Sequence, residues 1–175
     1  MSDVATAILD AALKHIRVGG FSAFSHRNLA EEVGVKSSSV HYHFPTKDRL
    51  AAAVIHRYTA EVAEYADGLF AKEPDPVRVL AEAFREPVVM EERLCPCVTL
   101  GAELNDLPPE TVTEVKGYYR MWLDKLIGKG VTEANATAFI SSLLGAQLLA
   151  SMFHDVSMYD AVAEKLLRDH AAIAA

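Results

Sequence analysis

Apolar positions recur every three or four residues along almost the whole chain, which has 175 residues. This spacing places them on one face of an α-helix, and no segment shows a convincing strand alternation. Ile8, Ala12 and Ile16 mark the first such helix. Its pattern ends at the glycine pair 19–20, a common carboxyl-terminal stop for a helix. The pattern as a whole predicts an all-α protein with about nine helices.

Two short helices are predicted next, over residues 27–33 and 38–44. Ser25 is a capping residue at the start of the first helix, and Gly34 ends it. Ser37 is the predicted cap of the second helix. Two such helices joined by a short turn that contains glycine are typical of a helix-turn-helix motif.

Longer helices are predicted in the remainder of the chain, and breaks at proline and glycine separate them. They are a helix that holds Leu50 to Leu69, with Thr46 as its cap, a helix over 77–85, and one from Pro96 to the residues before Leu107. A further helix carries Val112 to Leu126, another extends from its cap at Thr132 to about His154, and the last covers about 158–171. The most apolar window, residues 136–153, is interrupted by five polar residues, so no membrane span is predicted. The amino terminus lacks the pattern of a secretory leader. We therefore expect a soluble, cytoplasmic protein without membrane contacts.

The second short helix has a polar outward face. That face consists of Ser37, Ser38, Ser39, His41, Tyr42 and His43. Hydroxyl groups donate hydrogen bonds to phosphate, and cations at Lys36, Lys47 and Arg27 surround the helix. An arginine can also bind a guanine edge in the major groove. This arrangement indicates a nucleic-acid-binding surface, although short helix pairs also occur in helical proteins that bind no nucleic acid.

The net charge of -7 argues at first against a nucleic acid as partner. The charge is unevenly distributed, however: residues 1–50 carry six Lys/Arg and five Asp/Glu, whereas residues 51–175 carry 11 and 19. The amino-terminal segment is therefore nearly neutral and the remainder is acidic. Such an asymmetry is a weak indication of nucleic-acid binding by the less acidic part.

The segment SHRNLAEEVGVKSSSVHYHFPTKDRL, residues 25–50, resembles the DNA-binding domain of the TetR/AcrR family of transcriptional regulators. The turn 33–35, the run 42–44, Lys47 and Leu50 match the spacing of that family, and the resemblance extends over residues 5–55. It implies a three-helix DNA-binding domain within residues 1–50. Residues 51–175 would form a helical ligand-binding and dimerisation domain.

The resemblance also implies roles for individual residues. Residues 25 and 26 would contact phosphates, Arg27 a base or a phosphate, residues 36–39 and Tyr42 the major groove, and His43 and Lys47 the DNA backbone. His41 occupies a position where the family usually has an aromatic residue or leucine. The expected partners are a palindromic double-stranded operator, a second copy of the chain and a small-molecule effector that releases a repressor from DNA.

The predicted effector pocket rests on aromatic and polar residues within apolar helical surroundings. Its candidates are Phe84, Met90, Cys97, Tyr118, Tyr119, Trp122, Phe139 and Gln147. Ordinary core packing is the alternative for most of them. The predicted dimer interface uses the wide apolar arc of the penultimate helix. Its candidates are Phe139, Ile140, Leu143, Leu144, Gln147, Leu148 and Ser151.

The run Cys95-Pro-Cys97 contains both cysteines of the chain. With Pro96 as the first helical residue, Cys95 lies at the cap, where the helix lowers a thiol pKa. A thiol-based redox or electrophile sensor using Cys95 and Cys97 is therefore an alternative function. Buried inert thiols are the other interpretation, and a zinc site lacks two of its four ligands.

Other function classes have less support in the sequence. No phosphate-binding loop, HExxH or GxSxG motif is present, so we expect no enzyme, no catalytic residues, no cofactor and no bound metal. A helical interaction protein that does not bind DNA is the alternative from another class.

Overall fold

The computed structural model describes residues 2–90 and 94–174, apart from the side chains of Met90 and of residues 172–174. Within these ranges the chain forms nine α-helices, two short 3-10 turns and no strand, so the all-α prediction is confirmed. The helices are α1 Asp3–Gly19, α2 His26–Val33, α3 Ser37–His43, α4 Lys47–Phe70, α5 Pro76–Met90, α6 Pro96–Ala102, α7 Pro109–Gly128, α8 Glu133–Phe153 and α9 Ser157–Ala174.

The chain divides into two compact units. The first comprises Met1–Ala60 and Cys95–Tyr119, and the second comprises Glu61–Leu94 and Arg120–Ala175. Helices α1, α2, α3 and α6 therefore belong to the first unit, whereas α5, α8 and α9 belong to the second. The assignment of DNA binding to residues 1–50 and of ligand binding to residues 51–175 remains a prediction, because compactness alone does not report function.

Local capping chemistry explains the start of α2. The Ser25 hydroxyl accepts a hydrogen bond from the Asn28 backbone N–H at 3.3 Å, and the Asn28 side chain accepts one from the Ser25 backbone N–H at 2.6 Å. These two bonds form a capping box, which satisfies N–H groups that the first turn leaves without helical partners. The predicted capping role of Ser25 is confirmed.

Several predicted helix bounds are wrong, among them the end of α6, which lies at Ala102 and not just before Leu107 because residues 104–106 form a 3-10 turn. Helix α3 begins at Ser37 itself, with Lys36 as the cap, because the Lys36 carbonyl already accepts a hydrogen bond from the Ser39 N–H at 2.8 Å. Helix α5 does not end near residue 85 but continues through Pro87 to Met90. Pro87 lacks the N–H that would bond to the Ala83 carbonyl, and the buried Gln147 side chain donates to the neighbouring Phe84 carbonyl in the same turn.

The turn between α2 and α3 requires a left-handed residue. Gly34 has φ 75° and ψ 31°, and an added Cβ would have no neighbour within 4 Å, so backbone strain is the only obstacle to a side chain there. We expect Gly34→Ala to lower the free energy of unfolding by about 1 kcal/mol. Chemical denaturation followed by circular dichroism measures this change.

Gly117 provides the matched control for Gly34. It lies within α7 in the same unit, and an added Cβ there also has open space. Because its backbone is helical, Gly117→Ala should stabilise the protein by about 0.5–1 kcal/mol. A Gly34→Ala variant as stable as Gly117→Ala would show that the turn tolerates a side chain.

The second unit has an aromatic core between its helices. Trp122 is completely buried, and its ring meets the edge of the Phe84 ring at a centroid distance of 5.3 Å. The Tyr159 hydroxyl donates to the Ala81 carbonyl at 2.6 Å, which connects α9 to α5.

Among the described helices, α8 is the one long and apolar enough to cross a bilayer, although the core helices of soluble proteins pass the same test.

Candidate DNA-binding face, thiol cluster and effector regions

The outward face of α3 rests on a buried apolar base. Val40 of α3 and Leu29 and Ala30 of α2 are buried, and the two helices pack against each other. On the opposite side Tyr42 is 82% exposed, an unusual position for a large aromatic side chain. The remaining outward residues are Lys36, Ser37, Ser38 and His41, which are exposed, and Ser39 and His43, which are half-buried.

His26 and His41 contact each other. Their rings stack at a centroid distance of 4.3 Å with an interplanar angle of 4°. His26 Nε2 lies 2.7 Å from the carbonyl oxygen of Phe44, and because a carbonyl only accepts, this nitrogen donates. The His26 ring therefore joins the start of α2 to the end of α3, so it positions the motif in addition to any phosphate contact.

Lys47 lies beside aromatic rings. Its ammonium nitrogen is 4.5 Å from the ring centroid of Phe21 and 4.8 Å from that of Phe24. Burial lowers the pKa of Lys47, against the opposing charges of Asp48 and Glu103. This cation–π contact stabilises the segment before α2, and the predicted contact of Lys47 with the DNA backbone remains a prediction.

Arg27 is exposed, and its guanidinium donates to Glu31 at 3.2 Å, one helical turn along α2. Such an exposed pair is weak, so the arginine can exchange its carboxylate partner for a phosphate or a base.

Lys14 and His15 of α1 both contact Glu32, at 2.8 Å and 2.7 Å, and these hydrogen bonds lower the pKa of the Glu32 carboxyl. They connect α2 to α1.

Both cysteines lie in a buried cluster in the first unit. This thiol cluster consists of Cys95, Cys97, Tyr58 and Tyr118. Cys95 is 2% exposed, and the Tyr58 hydroxyl donates to its sulfur at 3.6 Å. The rings of Tyr58 and Tyr118 stack at a centroid distance of 5.7 Å. The predicted placement of Cys95 at the cap of a helix that begins with Pro96 is confirmed.

The two thiols differ in their ionisation. Burial opposes a charge on Cys95, but hydrogen bonds from the Cys97 thiol, the Tyr58 hydroxyl, the Cys97 N–H and the Tyr118 hydroxyl lower its pKa to about 6. Burial and the neighbouring Cys95 raise the pKa of Cys97. The Cys95 thiol is therefore the more acidic of the two.

The sequence analysis missed the tyrosines of this cluster as partners of the thiols. Tyr58 lies 37 residues before Cys95, and its helical spacing indicated only a core position. Arg17 was also missed: its guanidinium lies 5.6 Å from the centroid of the Tyr58 ring. No local signal in the sequence connects either residue with the cysteines.

The helix-turn-helix segment is similar to that of a known family. Residues 8–54 match the model of the bacterial regulatory proteins of the tetR family. This match supports a TetR-family transcriptional regulator. No curated protein matches the sequence significantly.

Solved TetR-family structures share the fold over nearly the entire chain. A TetR transcriptional regulator from Legionella pneumophila is 23% identical, with a TM-score of 0.88 over 97% of this chain and 98% of that one. A TetR-family regulator from Agrobacterium tumefaciens is 27% identical, with a TM-score of 0.85 over 95% and 96%. The regulator FadR from Bacillus subtilis, solved in complex with stearoyl-CoA, is 15% identical, with a TM-score of 0.73 over 92% and 96%.

The residues predicted to form an effector pocket fall into two groups in the structure. Cys97, Tyr118 and Tyr119 lie in the first unit, and the tyrosine rings meet edge to face at 5.2 Å. Phe84, Trp122, Phe139 and Gln147 lie in the second unit and are buried. The side chain of Met90 lies outside the described residues.

The second group includes two buried polar atoms without partners among the described residues, Trp122 Nε1 and Gln147 Oε1. One is a donor and the other an acceptor, and both residues contact Phe84.

A separate cleft of about 240 Å³ lies at the end of α8 in the same unit. Arg85 at its edge pairs with Asp160 through two hydrogen bonds, of 2.7 Å and 3.0 Å.

The predicted dimer residues lie on different faces of α8. Phe139, Ile140, Leu143 and Gln147 are buried within the second unit itself, so their side chains are covered without a partner subunit. Leu144 and Ser151 are half-buried, and Leu148 is exposed. The exposed apolar side chains of this region form the α8 stripe: Leu148, Leu149, Met152, Phe153 and the following Val156.

Proposed function

We propose that this TetR-family protein is a cytoplasmic, homodimeric repressor that binds a palindromic DNA operator and is released by a small-molecule effector. The outward face of α3 is the observation that carries the proposal. It presents hydroxyl groups, an exposed phenol and a lysine on a rigid apolar base. Core packing does not account for an exposed Tyr42, whereas a major-groove contact does.

Within this proposal the residues of the motif have different tasks. Ser37, Ser38 and Tyr42 enter the major groove, and Lys36 and Arg27 contact phosphates or a base edge. Ser25 and His26 hold α2 in place through the capping box and the bond to Phe44. The amino-terminal segment carries almost no net charge. Specific contacts of individual side chains and the geometry of the dimer therefore contribute more to the DNA affinity than nonspecific electrostatic attraction does.

The α8 stripe is the proposed dimer face. Its members follow the helical spacing 148, 149, 152, 153 and lie opposite the buried side of α8. Met152 is 64% exposed and Phe153 is 61% exposed, which is costly for adjacent large apolar side chains in water. A second copy of the chain that presents the same stripe covers both by twofold symmetry.

The second unit is the proposed effector-binding region. Trp122 Nε1 and Gln147 Oε1 offer a donor and an acceptor within aromatic surroundings, a combination suited to orienting a small organic molecule. An enzymatic role has no support in these residues, and the TetR-family regulators to which the chain is similar are generally not enzymes.

Substitutions on α3 test the DNA-binding proposal. We expect Tyr42→Ala to weaken binding to a specific duplex by about 10-fold to 100-fold, with less effect on a scrambled duplex, because a groove contact carries sequence information. Lys36→Ala should weaken binding to both duplexes and reduce the salt slope by about one per protomer, as expected for a phosphate contact. Fluorescence anisotropy with labelled duplexes measures both effects.

The control is Lys116→Ala, which removes an exposed lysine from α7 in the same unit. It changes the net charge as Lys36→Ala does, but it should leave affinity nearly unchanged. Equal losses for the two lysine variants would mean that overall charge, and not the α3 face, governs binding. Binding unaffected by any of these changes would favour a helical interaction protein that does not use α3 for DNA.

A further inference from the structure

Two histidine rings stack against each other on the candidate DNA-binding face. His26 at the start of α2 and His41 on α3 lie in parallel, with ring centroids 4.3 Å apart and an interplanar angle of 4°. His41 is exposed on the outward side of α3, whereas His26 is half-buried. Histidine is the side chain that ordinarily changes its charge between pH 5 and pH 8. The ability of His41 to bind an anion therefore depends on its protonation.

Two consecutive backbone carbonyls fix the hydrogen positions of the neutral rings. His26 Nε2 lies 2.7 Å from the carbonyl oxygen of Phe44, and His41 Nδ1 lies 3.4 Å from that of Pro45. Because a carbonyl oxygen only accepts, each of these ring nitrogens donates and carries the hydrogen. A neutral imidazole has one such N–H, so Nε2 of neutral His41 has a lone pair and is an acceptor.

A phosphate oxygen is also an acceptor, so it does not form a hydrogen bond with Nε2 of neutral His41. A proton on Nε2 makes this nitrogen a donor and gives the ring a positive charge, and such charge-assisted bonds to phosphate are strong. We propose that His41 binds a DNA phosphate as an imidazolium, so that DNA binding takes up one proton per protomer. This inference rests on the proposed DNA-binding function and adds a proton to its equilibrium.

His26 is the positioning ring of the pair. A cation is attracted to the face of an aromatic ring, so a neutral His26 accommodates a charged imidazole stacked on it. Two charged rings at the observed distance would repel each other, which limits the pair to one proton. His26 is the less exposed ring and is held by its bond to Phe44, so the proton belongs to the exposed His41.

The charged groups around the pair have partners of opposite sign within the protein. Arg27 and Glu31 of α2 form an ion pair at 3.2 Å, and Asp48 attracts Lys47 at the start of α4. A phosphate of bound DNA is therefore the anion that stabilises a charge on His41. Other charged or titratable groups on the packed helices include Lys14 and His15 of α1, which contact Glu32 of α2, and Lys36 and His43 of α3.

Isothermal titration calorimetry counts the protons directly. The full-length protein is titrated with the duplex that flanks its own coding sequence, in phosphate and in Tris buffer of equal ionic strength. At about pH 7.5, where an ordinary imidazole is mostly neutral, we expect the uptake of about one proton per protomer. The heat of binding then differs between the two buffers in proportion to their ionisation enthalpies. Equal heats in both buffers, with the duplex bound, would overturn the proposal.

The DNA affinity should follow the same linkage, and fluorescence anisotropy at constant ionic strength measures it. We expect the wild type to bind this duplex about tenfold or more tightly at about pH 6 than at about pH 8, because the DNA-bound protein holds more protons. His41→Phe keeps a flat ring against His26 but accepts no proton. Its affinity should change by less than about threefold over the same range. Circular dichroism checks that the variant is folded.

His56→Phe is the matched control. His56 is exposed on α4 in the same unit and contacts Glu114 at 3.2 Å, so the variant loses an imidazole away from α3 and should keep the wild-type pH response. His26→Phe retains a ring against His41 and should keep this response even where its affinity falls. A response that is lost in His26→Phe and kept in His41→Phe would place the proton on His26 and overturn the proposal.

Two further outcomes separate this inference from the proposed function. Binding of equal affinity at both pH values would overturn the role of the proton, since neutral His41 would then bind phosphate after a change of tautomer or not at all. The proposed function would stand in that case. No binding to the duplex at either pH would overturn the proposed function, and the proton uptake with it.

Discussion

Replacing Phe153 with aspartate is expected to convert the protein from a dimer to a monomer at micromolar concentration. The substitution places a carboxylate at the centre of the α8 stripe and, by symmetry, opposite the same stripe of the partner. Loss of one aromatic anchor and burial of a charge should raise the dimer dissociation constant by at least about 100-fold. Sedimentation velocity over a concentration series measures this constant, and circular dichroism checks that the helices remain.

Val18→Asp is the matched control for this experiment. Val18 is also an apolar side chain on a helix and is 68% exposed, but it lies on α1 in the first unit. It should leave the dimer intact. A Phe153→Asp protein that stays dimeric over the same concentrations as wild type contradicts the assignment of the α8 stripe as the dimer face.

The second large effect is expected at Trp122, the single tryptophan of the chain. Trp122→Ala should lower the free energy of unfolding by about 3–5 kcal/mol, because it empties a fully buried site and removes the edge-to-face contact with Phe84. Chemical denaturation followed by circular dichroism is the appropriate measurement, since the variant has no tryptophan fluorescence.

Trp122→Phe separates the two properties of this residue. It keeps an aromatic ring next to Phe84 but removes Nε1, a donor without a partner among the described residues. Removing an unsatisfied polar group offsets part of the cost of the smaller ring, so the loss should be clearly smaller than for alanine. A loss below about 1 kcal/mol for Trp122→Ala would contradict the importance of this aromatic core.

Local chemistry made several helix ends predictable from the sequence. The glycine pair at the end of α1, Ser25, Gly34 and Pro96 occupy the positions expected from capping and backbone preferences. These preferences depend on a few neighbouring residues, so a sequence shows them directly. The start of α3 and the passage of α5 through Pro87 depend on packing and were not predictable in this way.

The candidate DNA-binding face was predictable because its polar pattern interrupts an apolar one. The contacts of His26 and Lys47 were not, since the partners Phe44 and Phe21 lie 18 and 26 residues away along the chain. The contact between Tyr58 and Cys95 was not predictable for the same reason. These contacts exist only after the helices have packed.

The proposed dimer face shows a different limit of sequence patterns. Helix α8 is apolar around most of its circumference, with buried residues on one side and exposed apolar residues on the other. Periodicity identifies such a helix but does not say which side faces its own unit. For this reason the predicted set combined core residues such as Leu143 with the exposed Leu148.

A salt titration of DNA binding tests the central claim most directly. The wild-type protein is titrated by fluorescence anisotropy against the duplex that flanks its own coding sequence and against a scrambled duplex of equal composition. Sequence-specific regulation predicts an affinity that falls with salt on both duplexes and a preference for the flanking duplex of about 1,000-fold or more at physiological salt. Equal affinity for the two duplexes, or no binding to either, would contradict the assignment of this protein as an operator-binding repressor.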